Sequence, residues 1–290
     1  VEALSASGIN RASLGVQSFD PRVQAAINRI QPFEQTRHAV ERLRGAGIRA
    51  INLDLIYGLP FQTVESCLDT VRQAVLLRPE RLAVFGYAHV PSFKQHQRKI
   101  DTAALPDGAE RLAQAEAIAG ALIAAGYEQI GLDHFALPED TLAIAARCGG
   151  LHRNFQGYTT DPCPTLIGLG ASSIGRLPGG FVQNSVLIGD YQQRVAGGRL
   201  AVTRQCATSE EDERRSAIIM RLMCDYRIDL SADLDLVDEG ALALLEADGL
   251  ITRDGALFTV TDEARPLVRA VAAAFDAYLD EDAGRHSRAA

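Results

Sequence analysis

The sequence lacks an excess of positive charge: 29 Lys and Arg stand against 37 Asp and Glu, for a formal net charge of -8. Sequence-independent nucleic-acid binding needs cations facing the phosphates, so that class is disfavoured and at most a local basic patch is left. No apolar run approaches the length of a membrane span, and no basic, apolar leader opens the chain. Neither insertion nor secretion is indicated, and a cytoplasmic address is expected. The five cysteines, Cys67, Cys148, Cys163, Cys206 and Cys224, are scattered without close pairs. Their spacing suggests neither a disulfide framework nor a zinc site. Tryptophan, low-complexity tracts and internal repeats are absent. The smooth run LIGLGASSI at residues 166–174 carries a lone Gly-x-Gly and no Walker or complete dinucleotide fingerprint, which sets those nucleotide folds aside. The chain also opens on Val1, not methionine, inside what reads as the end of a helix closed by Gly8, so a longer N-terminus is expected.

What is present is led by INLDLIYGLP at residues 51–60. Its alternation is that of a strand, with Asn52 and Asp54 on one face and Leu53 and Leu55 on the other. Gly58 and Pro60 break it, and residues 64–77 resume an apolar helical rhythm, giving the strand, loop and helix of an α/β repeat. In such repeats chemistry gathers at the carboxyl ends of strands. Asp54 is therefore either a structural carboxylate, capping a helix or paired with an Arg, or a site residue.

The flanks extend the alternation. Residues 12–19 read as a strand with Gln17 at its tip, followed by a short helix ending near Arg29 and a longer one over 33–46. Residues 81–90 read as a third strand with Tyr87, Ala88 and His89 at its end, and the pattern predicts a parallel sheet or barrel. Residues 92–99, the densest basic stretch, are a solvated or an anion-facing loop. Asp107 and Glu110 form a capping box for a helix to Ala125; a strand over 127–133 and a short helix over 138–146 follow. LHRNFQGYTT at 151–160 packs polar residues together with no hydrophobic period, as sites or irregular turns do. A composition shift near Ala196 divides the chain into 1–195 and 196–290. Beyond it, helices over 210–224 and 236–247, a hairpin turned at Asp254 and Gly255, and a last helix capped by Thr261 predict a mainly helical, winged-helix-like domain with a polar tail from Glu281. The 236–247 helix carries Asp238, Glu239 and Glu246, so it is expected to pack against a neighbour and not to read DNA.

GVQSF at 15–19, NRIQ at 28–31, NLDLIYGLP at 52–60, YAHVP at 87–91, QRKI at 97–100, DHFA at 133–136 and HRNFQGYTT at 152–160 together resemble, in content, order and spacing, the oxygen-independent coproporphyrinogen III oxidase family of radical S-adenosylmethionine enzymes. The likeness runs over nearly the whole chain. It implies an α/β fold, the C-terminal part of an incomplete parallel (βα) TIM-like barrel followed by the winged-helix-like domain. It also implies a [4Fe-4S] cluster that reductively cleaves S-adenosylmethionine to a 5'-deoxyadenosyl radical. That radical takes hydrogen from a propionate of coproporphyrinogen III, and loss of carbon dioxide and an electron leaves a vinyl group. Two such rounds give protoporphyrinogen IX. The implied partners are this substrate and an external electron donor, with no nucleic acid or membrane, and the implied state is a monomer.

By the same resemblance Gln17, Arg29, Asp54, Ala88 and Ile174 fall on positions that contact S-adenosylmethionine, and Gln156 on one near a second molecule of it. The residue types suit this ligand, since a carboxylate accepts from hydroxyls or an ammonium, and a guanidinium holds a carboxylate bidentately. Arg153 is nominated for the substrate, which carries four carboxylates. The family's three closely spaced cluster cysteines are not in this chain, and its dispersed cysteines cannot replace them, so metal ligands are expected upstream and the chain alone is expected to be inactive. Two rivals are weighed: a haem-carrying chaperone of the same superfamily, disfavoured by QGYTT at 156–160, and a DNA-binding regulator, disfavoured by the acidic helix.

Overall fold

The computed structural model describes residues 1–92, 94–155 and 157–279. Gln156 and the tail from residue 280 lie outside the described residues. The chain forms two compact units, Val1–Cys148 and Gly149–Ala277. The boundary expected at 195/196 falls inside the second of them.

In the first unit a short helix α1 (Glu2–Ala6) precedes strand β1 (Arg11–Gln17), helices α2 (Pro21–Ala26) and α3 (Phe33–Gly45), strand β2 (Ala50–Tyr57), helix α4 (Val64–Leu76) and strand β3 (Arg81–Gly86). Strands β1, β2 and β3 are parallel neighbours. The expected alternation is therefore present, although the third strand ends at Gly86 and not at residue 90. Helix α5 (Gly108–Ala124) opens on the expected Asp107–Glu110 capping box. The single strand expected over 127–133 is instead an antiparallel pair, β4 (Glu128–Ile130) and β5 (His134–Ala136), with β5 also antiparallel to β3. Gly131, at φ +58°, turns the chain back there, which an extended strand could not do. The sheet order is β1-β2-β3-β5-β4, so it is mixed and not purely parallel. Helix α6 (Thr141–Arg147) begins on the side chain of Asp140.

Period two divides this sheet into two chemical faces. Val16, Leu53, Leu55, Leu82 and Val84 are buried with Val40 and Leu43 of α3, Cys67, Val71 and Ala74 of α4, and Ile118 and Leu122 of α5. Ser13, Asn52 and Asp54 lie on the opposite face, and only partial burial covers Asn52 and Asp54. The loop after β2 is held by two glutamines. Gln62 Oε1 accepts from Leu59 N at 2.7 Å while its Nε2 donates to Ile56 O at 2.8 Å. Buried Gln114 of α5 accepts from Gly58 N at 2.9 Å and donates to Gln62 O at 3.0 Å. Gln114→Leu strips both bonds from buried backbone groups, so urea unfolding is expected to show a loss of about 2–4 kcal/mol.

The second unit begins with a hairpin, β6 (His152–Asn154) and β7 (Gly157–Thr159), formed by the polar 151–160 segment. Strands β8 (Ile174–Leu177), β9 (Gly180–Asn184) and β10 (Val202–Ala207), with helix α7 (Ile188–Ala196) between the last two, form an antiparallel sheet that the sequence did not signal as such. Helix α8 (Glu210–Asp225) starts on a Ser209–Asp212 capping box. Strand β11 (Arg227–Asp229) joins the expected hairpin of β12 (Ile251–Asp254) and β13 (Leu257–Val260), and α9 spans Glu239–Ala247. Thr261 does not cap the last helix: its hydroxyl donates to Gly249 O at 2.9 Å, and α10 (Val268–Ala273) begins after a further turn.

Candidate functional site

The polar face of β1 and β2 is assembled around Gly15. In register, Ser13 faces Asn52 and Gly15 faces Asp54. Because residue 15 has no side chain, its space is taken by others: a Cβ there would lie 2.7 Å from Gln17 Nε2 and 3.2 Å from Arg29 Nη2. Arg29 Nη2 donates to Gly15 O at 2.6 Å. Gln17, Arg29 and Asp54, distant in sequence, thus converge on one glycine. A bulge between Gly15 and Gln17 sets this up, and Gln17 sits at φ +68°, a left-handed conformation that costs roughly 1 kcal/mol or more and is stored at functional sites. Arg29 is brought back by a loop that buried Gln24 locks: its Nε2 donates to Ser18 O and Gln31 O, and its Oε1 accepts from Gln31 N.

Asp54 is held by two neighbours. Ser13 Oγ lies 3.0 Å from both carboxylate oxygens, and Asn52 Nδ2 donates to Oδ1 at 2.6 Å and to Ser13 Oγ at 2.9 Å. Both amide protons of Asn52 are thereby used, and its Oδ1 is buried without a partner, as is Gln17 Oε1. Two orphan carbonyl oxygens and one carboxylate make a cluster of acceptors that wants donors. Burial pushes the Asp54 carboxyl above its ordinary value, against the hydrogen bonds from Ser13 and Asn52 and the field of His134, which hold it down. His134 shares this face, across Ala83, and its Nδ1 is 2.7 Å from Asp133 Oδ1.

Ala88 lies just beyond β3, where Gln97 fixes the backbone by donating from Nε2 to Ala88 O at 2.9 Å and accepting from Val90 N at 2.6 Å. Ile174 and Arg153 belong to the second unit: Ile174 opens β8, opposite Gln183, and Arg153 lies on β6, opposite Tyr158. Ser13 and His134 were not singled out from sequence. Ser13 had a usable signal, because it shares the strand period with Gly15 and Gln17. Among the described residues no three His, Cys, Asp or Glu side chains gather as a metal site. No helix among the described residues is long and apolar enough to cross a membrane.

Parallel strands carrying such a face define a class, and comparison with known proteins names it: residues 1–74 match the radical SAM superfamily, which implies S-adenosylmethionine and a [4Fe-4S] cluster. Within that class the chain is 55% identical to the oxygen-independent coproporphyrinogen III oxidase of Bradyrhizobium diazoefficiens, over 100% of this chain and 66% of the relative. It is 42% identical to that of Thermostichus vulcanus, over 96% of this chain and 89% of the relative. A solved structure of coproporphyrinogen III oxidase from Escherichia coli, described as a radical SAM enzyme, superposes with a TM-score of 0.87 at 40% identity, over 95% of this chain and 66% of that one. The chain belongs to the oxygen-independent coproporphyrinogen III oxidase family. It spans 66% of the length of the Bradyrhizobium relative and of the solved Escherichia coli chain.

Proposed function

We propose that this chain contributes the S-adenosylmethionine site and part of the substrate site of an anaerobic coproporphyrinogen III oxidase. The carrying observation is the acceptor cluster at Gly15, in which a carboxylate and two orphan carbonyl oxygens stand together with the Arg29 guanidinium beside them. That set of acceptors beside one guanidinium fits S-adenosylmethionine, which presents an ammonium, two ribose hydroxyls and a carboxylate. Asp54, oriented by Ser13 and Asn52, would accept from the ligand's hydroxyls or ammonium; Gln17 Oε1 and Asn52 Oδ1 would accept further protons. By the family resemblance Arg29 would meet a carboxylate, Ala88 and Ile174 would give backbone and apolar contact, and Gln156 would serve a second molecule. When bound, S-adenosylmethionine reduced through the cluster supplies the radical that takes hydrogen from a propionate. Loss of one carbon dioxide, one electron and that hydrogen atom turns each of two propionates into a vinyl group and yields protoporphyrinogen IX. An external electron donor, a monomeric state and a cytoplasmic setting go with this reading. So does a division into an incomplete parallel βα barrel over 1–195 and a winged-helix-like module over 196–290.

Anaerobic incubation of the longer protein that carries the cluster cysteines, reconstituted with the cluster, with coproporphyrinogen III tests it: protoporphyrinogen IX is expected, and haem binding without turnover would favour a haem chaperone. The raised carboxyl of Asp54 adds a pH signature. Cationic ligand needs the ionised form, so S-adenosylmethionine affinity is expected to fall as the pH is lowered through the Asp54 value, which burial raises. In that window binding should release a proton, readable as a buffer-dependent heat in calorimetry.

A further inference from the structure

Among the described half-buried cations of the second unit, one is not accounted for by the fold. Among its described half-buried arginines, Arg176, Arg194, Arg214, Arg215 and Arg221 each pair with a carboxylate, at 2.5–2.9 Å. Arg153 is half-buried too, yet it has no acidic partner, and its Nε is buried without a hydrogen bond. A guanidinium left so is costly, because the desolvation of its donors is not repaid. Its surroundings hold it in place without neutralising it. Its guanidinium carbon stacks 4.8 Å over the ring of Tyr158, across the β6–β7 hairpin. Tyr158 is itself fixed, buried and donating from its hydroxyl to Met223 O at 2.9 Å. The neighbouring cation, Arg221, is spent: it donates to Asp225 Oδ2 and to Leu151 O, both at 2.8 Å. The buried Cys224 thiol also senses Arg153: burial pushes it up to about 11 against the pull of Arg221 and Arg153. A thiol that stays protonated supplies no counter-charge.

A planar cation, oriented by a locked aromatic ring and kept free of internal acids, is the arrangement that recognises a carboxylate from outside. We infer that Arg153 anchors a propionate of the tetrapyrrole substrate, and that this propionate is one that is retained and not decarboxylated. The inference rests on the function proposed above. Its second half follows from charge: a guanidinium paired with a carboxylate stabilises it as an anion, and that stabilisation is lost as neutral carbon dioxide departs. Held on the reacting group, Arg153 would favour the ground state over the transition state. Held on a retained group, it favours both alike and acts as a binding residue.

The test compares wild type with Arg153→Lys and Arg153→Met, using the longer protein that carries the cluster cysteines, reconstituted with the cluster. For anaerobic turnover of coproporphyrinogen III, Arg153→Met is expected to raise KM at least about tenfold with kcat within about twofold, the pattern of a lost uniform-binding contact, and Arg153→Lys to recover most of the loss. A change in kcat at unaltered KM, or a lysine variant no better than methionine, would overturn the inference. Fluorescence titration with coproporphyrin III, the oxidised tetracarboxylic analogue, needs no turnover and separates the two readings. If wild type binds it and the methionine variant binds about tenfold more weakly while neither turns over substrate, the anchor stands and the activity reading fails. Equal binding by all three, at equal melting temperature, removes the anchor whatever the activity.

Discussion

Asp54→Asn is expected to leave the chain folded, at least as stable as wild type at neutral pH, and deficient in S-adenosylmethionine binding by about a hundredfold or more. The two halves have one cause. Burial raises the folded-state pKa of Asp54, so its ionised form is held at a cost. By linkage, a raised carboxyl favours folding most below its unfolded value, and that advantage lessens as pH climbs through the folded value. Replacing the carboxylate by an isosteric amide removes the cost at neutral pH while Ser13 keeps a hydrogen-bonding partner. Ligand binding has no such substitute, because a neutral amide does not balance an ammonium and offers one acceptor where the carboxylate offered two. Calorimetric titration and a thermal melt of the same preparation measure both halves. A marked drop in melting temperature with binding intact would mean that Asp54 is the structural carboxylate that its sequence also allowed.

Gly180→Ala is expected to be the most damaging small substitution in the second unit. Gly180 sits at φ +151°, and a Cβ there would overlap the carbonyl oxygen of Cys206 and lie 3.0 Å from Ala207 Cα on the paired strand. Backbone cannot yield as a side chain does, so relief requires parting β9 from β10, at about 3 kcal/mol or more. Gly179, one residue earlier, is the internal control. It has φ +84° with nothing within 4 Å of a Cβ, so Gly179→Ala meets only the conformational term of about 1–2 kcal/mol. Urea unfolding should rank the two in that order, and equal effects would contradict the close approach.

Part of this architecture was legible in the residues, for reasons that differ by element. The β2 strand could be read because its faces carry opposite chemistry, Leu53 and Leu55 against Asn52 and Asp54, and α5 because Asp107 and Glu110 mark its start. Strands β8 to β10 could not: β8 and β10 each hold at most one buried residue and are rich in residues that also suit loops, so period two is lost. The β4–β5 turn was hidden because Gly131 sits between apolar Ile130 and Leu132, with no Pro, Asn or second Gly beside it to mark a reversal. At the site, the residues named by family resemblance were legible while their convergence was not. Gly15 acts through absent volume and Gln24 through a loop lock, and neither leaves a periodic trace.

The most direct measurement is the release of carbon dioxide from carboxyl-labelled coproporphyrinogen III by the cluster-reconstituted protein under anaerobic conditions, beside its Asp54→Ala variant. For the longer protein that carries the cluster cysteines, the account predicts two equivalents per substrate from the wild type, and almost none from the variant even though it folds. Undiminished release from the variant would contradict the assignment of the Gly15 face as the cofactor site.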